Sequence, residues 1–574
     1  MNDAVTEATT PSSAIDQLAE RHLEQELVLD PIGATELGIP GHDHELPDFT
    51  PAGFAARIDL TRSSLAAARA IEPGSPREEV AKDAFVERLG LELERHEAGV
   101  PQSQLNALTS VPAALRQVFD LMPTSTEQDW EVVAIRLNQI GTTLDGYRDT
   151  LLEQADQGRV SAVRQVTGLA ERIASWTGAD GEDFFAGLAA QAPEKNSAAK
   201  TGSLKAGVEA AAASARKAFD QFGGWLTTEL APRAPERDAC GREVYELASR
   251  SFLGATIDLE ETYAWGWAEL ARIEAEMQEI AAGLNDGDRS IDAAAALLDA
   301  DPARMIQGKD AFRDWMQQLA DTAITGLAGT HFDIADEIRR IECMIAPTSD
   351  GSIYYTQPSE DLTTRPGRMW WAVPNGVETF ATWREVTTVY HEGVPGHHLQ
   401  VAQTMLRTDV LNRWQRIACW VSGHGEGWAL YAERLMEELG YLEDAGARLG
   451  MLDGQSFRAA RVIVDIGMHL ELEVPRDNPF GWRPGERWTA DLGFEFLRAH
   501  CRMETNYLRA ELNRYLGWPG QAPAYKVGER MWLQARAEAK QRKGSAFDLR
   551  EFHSNALNLG SIGLDPLRRA LAKL

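Results

Sequence analysis

The sequence predicts an all-α, mainly helical protein, and three observations predict it. Apolar residues recur at three- and four-residue intervals through most of the 574 residues. Proline and glycine cluster between these periodic stretches. One segment, 350–374, loses the helical period and gains aromatics, prolines and glycines, which fits a short strand or extended loop.

In chain order, AIDQLAERHLEQELVL, VRQVTGLAERIASW and LEETYAWGWAELARIEAEMQEI typify the amphipathic stretches that run from Ser13 to about Pro347. Breaks fall at EPGSP near residue 75, TGADGED near 180 and LAPRAPERDACG near 235. The last break suggests an N-terminal helical scaffold, 1–235, followed by a helical catalytic region, 236–574, in one continuous unit around a cleft. The Ala-rich EKNSAAKTGSLKAGVEAAAASARKAF suits a closely packed or exposed helix. Helices resume near Glu378 and continue to the C-terminus. No fixed-period repeat is present, which argues against a solenoid.

With 44% hydrophobic and 25% charged residues, the chain can bury a large core. Its 57 Lys and Arg against 87 Asp and Glu give a net charge of -30, which argues against nucleic acid or an anionic membrane surface as partner. The first thirty residues lack a basic n-region and an apolar h-region, and no run reaches the length of a membrane span. Cys240, Cys343, Cys419 and Cys501 are widely separated and form no CxxC pair. Together these features lead us to expect a cytoplasmic protein.

The chemistry concentrates in TTVYHEGVPGHHLQ. The common zinc signature sets two histidines at i and i+4 with a Glu after the first, so that both imidazoles face one metal. Here position i+4 from His391 is Pro395, and the next histidines are His397 and His398. On an unbroken helix His397 points to the wrong face and His398 lies roughly 10 Å along the axis, too far for shared ligation. Pro395 clashes with the carbonyl of His391 and donates no N–H, so the helix must break. If Val394, Pro395 and Gly396 bulge outward, His397 takes the i+4 place; His398 is the alternative, otherwise facing substrate.

A catalytic zinc keeps three protein ligands. Glu426, in SGHGEGWALYAERL, heads an apolar helix and is the candidate third ligand, with Glu433 seven residues on as a partner that orients an imidazole. His424 reads as a loop histidine rather than a ligand. Glu392 sits where a general base is needed. In SFRAARVIVDIGMHLELEV, the residues Arg458, Arg461, Asp465 and His469 share one helix face. Either Arg461 and Asp465 form a structural ion pair, with Asp465 supporting the site, or Arg461 grips a substrate carboxylate while His469 hydrogen-bonds the oxyanion or substrate backbone. The segment from Tyr354 to Pro374 either aligns a peptide or closes the cleft.

These motifs give a resemblance. HEGVPGHH, together with AERHLEQELVLDPIGATELGI, EGWALYAE, RAARVIVDIGMH and WPGQAPAYKVG, resembles a bacterial family carried as a domain of unknown function and marked by HExxPGHH. That family is distantly similar to helical gluzincin metallopeptidases of the thermostable-carboxypeptidase-like and oligopeptidase-like kinds. The resemblance implies a large helical fold around a deep cleft, ligands His391, His397 and Glu426, general base Glu392, and Tyr525 as a late tyrosine donating to the oxyanion. The expected activity is a zinc-dependent metallopeptidase acting on short peptides, since a deep cleft excludes folded proteins. Manganese or cobalt fits the same donors. The alternative is a zinc-dependent amidohydrolase or aminoacylase acting on N-acyl amino acids. A nonenzymatic metal-binding protein is disfavoured because storage needs no base beside the ligand.

Overall fold

Helix caps begin the architecture. Ser13 and Thr126 close capping boxes over Ala14–Leu29 and Glu127–Asp156, and Asp258 and Asp444 cap Leu259–Leu284 and Ala445–Leu470. The computed structural model describes residues 13–193, 204–346 and 353–573, and these contain twenty-four α-helices and five short strands. The chain is all-α in class, with only small sheets. The breaks near residues 75, 180 and 235 fall between helices, and the Ala-rich segment continues as helix Leu204–Trp225, its residues 194–203 lying outside the described ones.

Two hydrophobic cores divide the molecule. The smaller, from Ile32 to Leu230, is built on Glu127–Asp156 and Leu204–Trp225. The larger gathers the rest and takes in Ile15, Leu23, Phe85 and Leu89 from the leading helices. The first 235 residues therefore contribute to both cores, and helices Ala14–Leu29 and Pro76–Glu97 pack with the C-terminal region. At the centre of the larger core, Ala445–Leu470 is buried almost all round, the pattern of an interior helix.

The strands are β1 (Met305–Gln307), β2 (Ile341–Ile345), β3 (Ile353–Thr356), β4 (Gly367–Trp371) and β5 (Thr379–Ala381). β1 pairs antiparallel with β5; β4 lies between β2, parallel to it, and β3, antiparallel. β3 and β4 occupy the segment where the helical period fails, with residues 350–352 outside the described part. β1, β2 and β5 interrupt stretches expected to be helical. Each is at most five residues long, too short for a period-two pattern to stand out in sequence, and each is set by cross-strand pairing.

Candidate metal centre

Helix Thr382–Glu392 delivers His391 and Glu392 in its last turn and stops there. The next helix, His397–Leu406, begins at His397, so the break falls across Gly393–Gly396, around Pro395 as the sequence requires. The broken turn is held by specific bonds. Gly396 N–H donates to Tyr390 O at 3.0 Å, His398 N–H to Gly393 O at 3.1 Å, and Trp428 Nε1–H to Pro395 O at 2.8 Å. Only glycine fits at 396, where a Cβ would stand 1.9 Å from His391 O.

The break swings His397 beside His391, ring centroids 4.8 Å apart and nearly perpendicular. Helix Ser422–Glu438 brings Glu426 Oε2 to 3.4 Å from His391 Nε2 and 3.5 Å from His397 Nε2. Ligand atoms of His391, Glu392 and His397 also lie within 4.8 Å of one another. Two carboxylates thus border the imidazoles. Glu426 Oε2 and Glu392 Oε2 are both buried there without a hydrogen-bond partner, and Glu426 Oε2 faces both rings. By distance, the two imidazole Nε2 atoms and Glu426 Oε2 form the candidate donor set, with the Glu392 carboxylate beside it.

The donors fit a divalent ion. Four ligands at about 2.1 Å in a tetrahedron stand about 3.4 Å apart, matching the spacing of Glu426 Oε2 from both imidazole nitrogens. Charge argues the same way. Burial opposes the His391 imidazolium, but bonds to Glu426 and Glu433 outweigh it and push its pKa up to about 9. Burial raises Glu426 as well, yet both histidines hold it well below the ordinary carboxylate range. The pocket favours a cation at this point: a proton when no ion is bound, a metal in competition with it. Glu392 is raised, first by burial.

Glu433 Oε1 meets His391 Nδ1 at 2.8 Å, fully buried. Tyr525 lies close enough to Glu426 for burial and that carboxylate to push its phenol up to about 12, and Arg461 lies 4.9 Å from its ring centroid. Glu426 also lines a cavity of about 600 Å³ with Trp420, Trp414, Phe252 and Gln521. The glycines around Glu426 make room for its neighbours: a Cβ at 425 would strike the Trp420 ring, and one at 427 the backbone of Gly528. The alternating glycines of SGHGEGW were the legible signal of this crowding.

Other expectations need correction. His398 is occupied at both nitrogens, by Tyr355 Oη and Ile338 O at 2.9 Å each, and faces neither a metal nor substrate. Tyr354 points outward, 40% exposed and stacked on Trp370; Tyr355, one residue on, faces inward because strand side chains alternate. His469 is fully buried, its Nδ1 accepting from Cys240 N–H and its Nε2 meeting Tyr515 O, so it does not serve an oxyanion. Arg461 does not pair with Asp465; it bonds Glu511 and Tyr515 Oη. Asp465 accepts from Tyr245 Oη and Gly520 N–H, steadying the turn that leads to Tyr525 rather than an imidazole of the centre. His424 lies in a helix, buried against Trp532 and bonded to Ile562 O.

The fold has solved relatives. A crystal structure of a protein from Colwellia psychrerythraea, described as a lipoprotein, matches with a TM-score of 0.82 at 21% identity over 97% of this chain and 98% of that one. A protein of unknown function from Shewanella oneidensis, also described as a lipoprotein, matches with a TM-score of 0.73 at 17% identity over 97% and 99%. No curated protein matches the chain. Residues 31–571 match the model described as "Bacterial protein of unknown function (DUF885)", and the chain belongs to that family.

Proposed function

We propose that this chain is a zinc-dependent metallopeptidase that hydrolyses amide bonds of short peptides. The observation that carries the reading is the approach of His391 and His397 to one oxygen of Glu426 at tetrahedral spacing, with the buried Oε2 of Glu392 free alongside. The N/O donor set suits zinc and also accepts manganese or cobalt. Bound by His391, His397 and Glu426, the ion supplies Lewis acidity that acidifies water and polarises a carbonyl.

The chain's own residues do the rest. Glu392 accepts the proton of the attacking water, the water oxygen adds to the carbonyl carbon, and Glu392 passes the proton to the amine as the C–N bond breaks. Tyr525, kept protonated by burial and by Glu426, donates to the developing oxyanion. The cavity beginning at Glu426 and Trp420 favours small substrates. The same small volume favours the second reading, an amidohydrolase or aminoacylase acting on N-acyl amino acids.

Metal analysis of wild type and His391→Ala, with peptide-library digests by wild type and Glu392→Gln, tests the proposal. We expect one equivalent of zinc in wild type, its loss in His391→Ala, and lost turnover with zinc retained in Glu392→Gln. A metal-free active protein overturns the reading; zinc with no peptide turnover moves it to N-acyl amino acids. For location, the four free cysteines support the cytoplasm, whereas the lipoprotein description of two fold relatives points to the cell envelope. Cell fractionation decides between them.

A further inference from the structure

Arg458 is an unused cation beside the proposed centre. Its Nε is buried without a hydrogen-bond partner, and no ion pair holds its guanidinium among the described residues. A Cβ on Gly454, one turn earlier, would stand 2.7 Å from Arg458 Nη1, so the side chain folds back along helix Ala445–Leu470 over a position with no side chain. There its charge acts on Glu392, Glu433 and the phenol of Tyr507. Tyr507 is 41% exposed, so this end of the centre reaches solvent.

The neighbouring arginines are already committed. Arg461 bonds Glu511 and Tyr515, and Arg514 bonds Glu511. Glu392 and Glu433 feel the Arg458 charge without hydrogen-bonding it, so its buried Nε–H is unmatched, and a carboxylate fits the two-pronged geometry of the guanidinium. Position along helix Ser422–Glu438 gives direction. The cavity is lined by Glu426 and not by Arg458, whose charge acts on Glu392 and on Glu433, the latter seven residues or roughly 10 Å along the helix from Glu426. A substrate that reached both the cavity and Arg458 would pass the centre with one side toward each.

We propose that Arg458 binds the free α-carboxylate of the leaving amino acid, so that the substrates are short peptides or N-acyl amino acids ending in a free carboxylate, with the acyl part in the cavity at Glu426 and Trp420. The inference rests on the hydrolase reading above and assigns its direction: release of an amino acid from the C-terminal end. Arg458 takes no part in bond making or breaking. Water adds to the carbonyl carbon, the C–N bond breaks, and the amino acid leaves with the proton carried by Glu392.

Two readouts on the zinc-loaded full chain test this. The first compares short peptides as free acids and as C-terminal amides. Wild type prefers the acids by about 30-fold in kcat/KM, Arg458→Ala abolishes the preference through a raised KM for acids alone, and Arg458→Lys keeps part of it. The second is calorimetric and needs no turnover. Wild type binds 2-benzylsuccinate about 30-fold more tightly than 3-phenylpropionate, which lacks the second carboxylate, and Arg458→Ala binds the two alike. An unchanged acid preference or unchanged dicarboxylate advantage in Arg458→Ala overturns the inference. So does equal binding of the two probes by wild type. A merely structural Arg458 that balances Glu433 alters zinc content or affects acids and amides equally. Failure of wild type to cleave any peptide or N-acyl amino acid sinks the hydrolase reading separately, and the binding comparison still decides the role of Arg458.

Discussion

Glu433 Oε1 accepts from His391 Nδ1 at 2.8 Å, deep in the core and two helical turns from Glu426 on the same helix. One helix therefore supplies both the oxygen facing His391 Nε2 and the oxygen fixing its other nitrogen. The bond selects the tautomer that leaves Nε2 free for a metal and raises the basicity of the ring. Glu433→Gln keeps an acceptor but removes the charge. Zinc affinity should fall about 10- to 100-fold, read by competition with a chelator, while Glu385→Gln serves as a control on the neighbouring helix. Equal affinity in Glu433→Gln and wild type would remove Glu433 from the centre.

Tyr525 lies within reach of the Glu426 charge and beside the Arg461 guanidinium, which is itself held by Glu511 and Tyr515. Its phenol stays protonated at neutral pH and is available as a donor. Tyr525→Phe should lower kcat about 100-fold, with KM and zinc content near wild type. A change confined to KM would mean that Tyr525 binds substrate and does not serve the oxyanion.

How much of this could be read from the sequence follows from the range of the interactions. The break after Glu392 is local, because Pro395 strikes the preceding turn and Gly396 alone fits against His391 O. The approach of His397 to His391 was therefore legible. The shared face of Arg461, Asp465 and His469 was legible too, but their partners were not: Glu511, Tyr515, Tyr245 and Cys240 come from helices or loops remote in sequence. That Tyr354 faces outward was not legible, because strand face is decided by pairing with β4, not by composition. Arg458 was visible as one of four polar residues on a helix; its lack of a partner appears only when every neighbouring helix is in place.

The helices carrying Glu426 and Tyr525 touch backbone to backbone. A Cβ at Gly528 would lie 2.1 Å from Gly423 O and 2.8 Å from Gly427 Cα, and neither backbone atom can move aside without shifting a helix. Gly528→Ala should cost about 1–3 kcal/mol in chemical denaturation and lower turnover by moving Tyr525 away from Glu426. Gly207, exposed in helix Leu204–Trp225 with open space around its Cβ position, provides the contrast. There alanine should stabilise by up to about 1 kcal/mol. A Gly528→Ala protein as stable as wild type would contradict the close packing.

Buried histidines set a pH dependence whose sign follows from their neutrality in the fold. Burial pulls His424 down to about 4, against the opposing bond to Ile562 O. Burial likewise pulls His553 down to about 3, with Arg536 and His331 adding to it. In the unfolded chain both titrate near 6.5. The unfolded state then binds more protons, so this contribution is present above pH 6.5 and is lost as the pH falls toward 4. Glu385, raised by burial to about 7, acts in the opposite sense, its penalty growing as the pH rises from the ordinary value of 4.5 to about 7. The overall profile therefore mixes signs, and the difference between variant and wild type isolates one group. His424→Gln or His553→Gln should each reduce the slope of stability against pH by about 1.4 kcal/mol per unit near pH 5, measured by denaturant titrations from pH 4.5 to 8. The slope is independent of any constant loss of packing from the substitution. Parallel profiles for variant and wild type would mean that the histidine is already protonated in the fold.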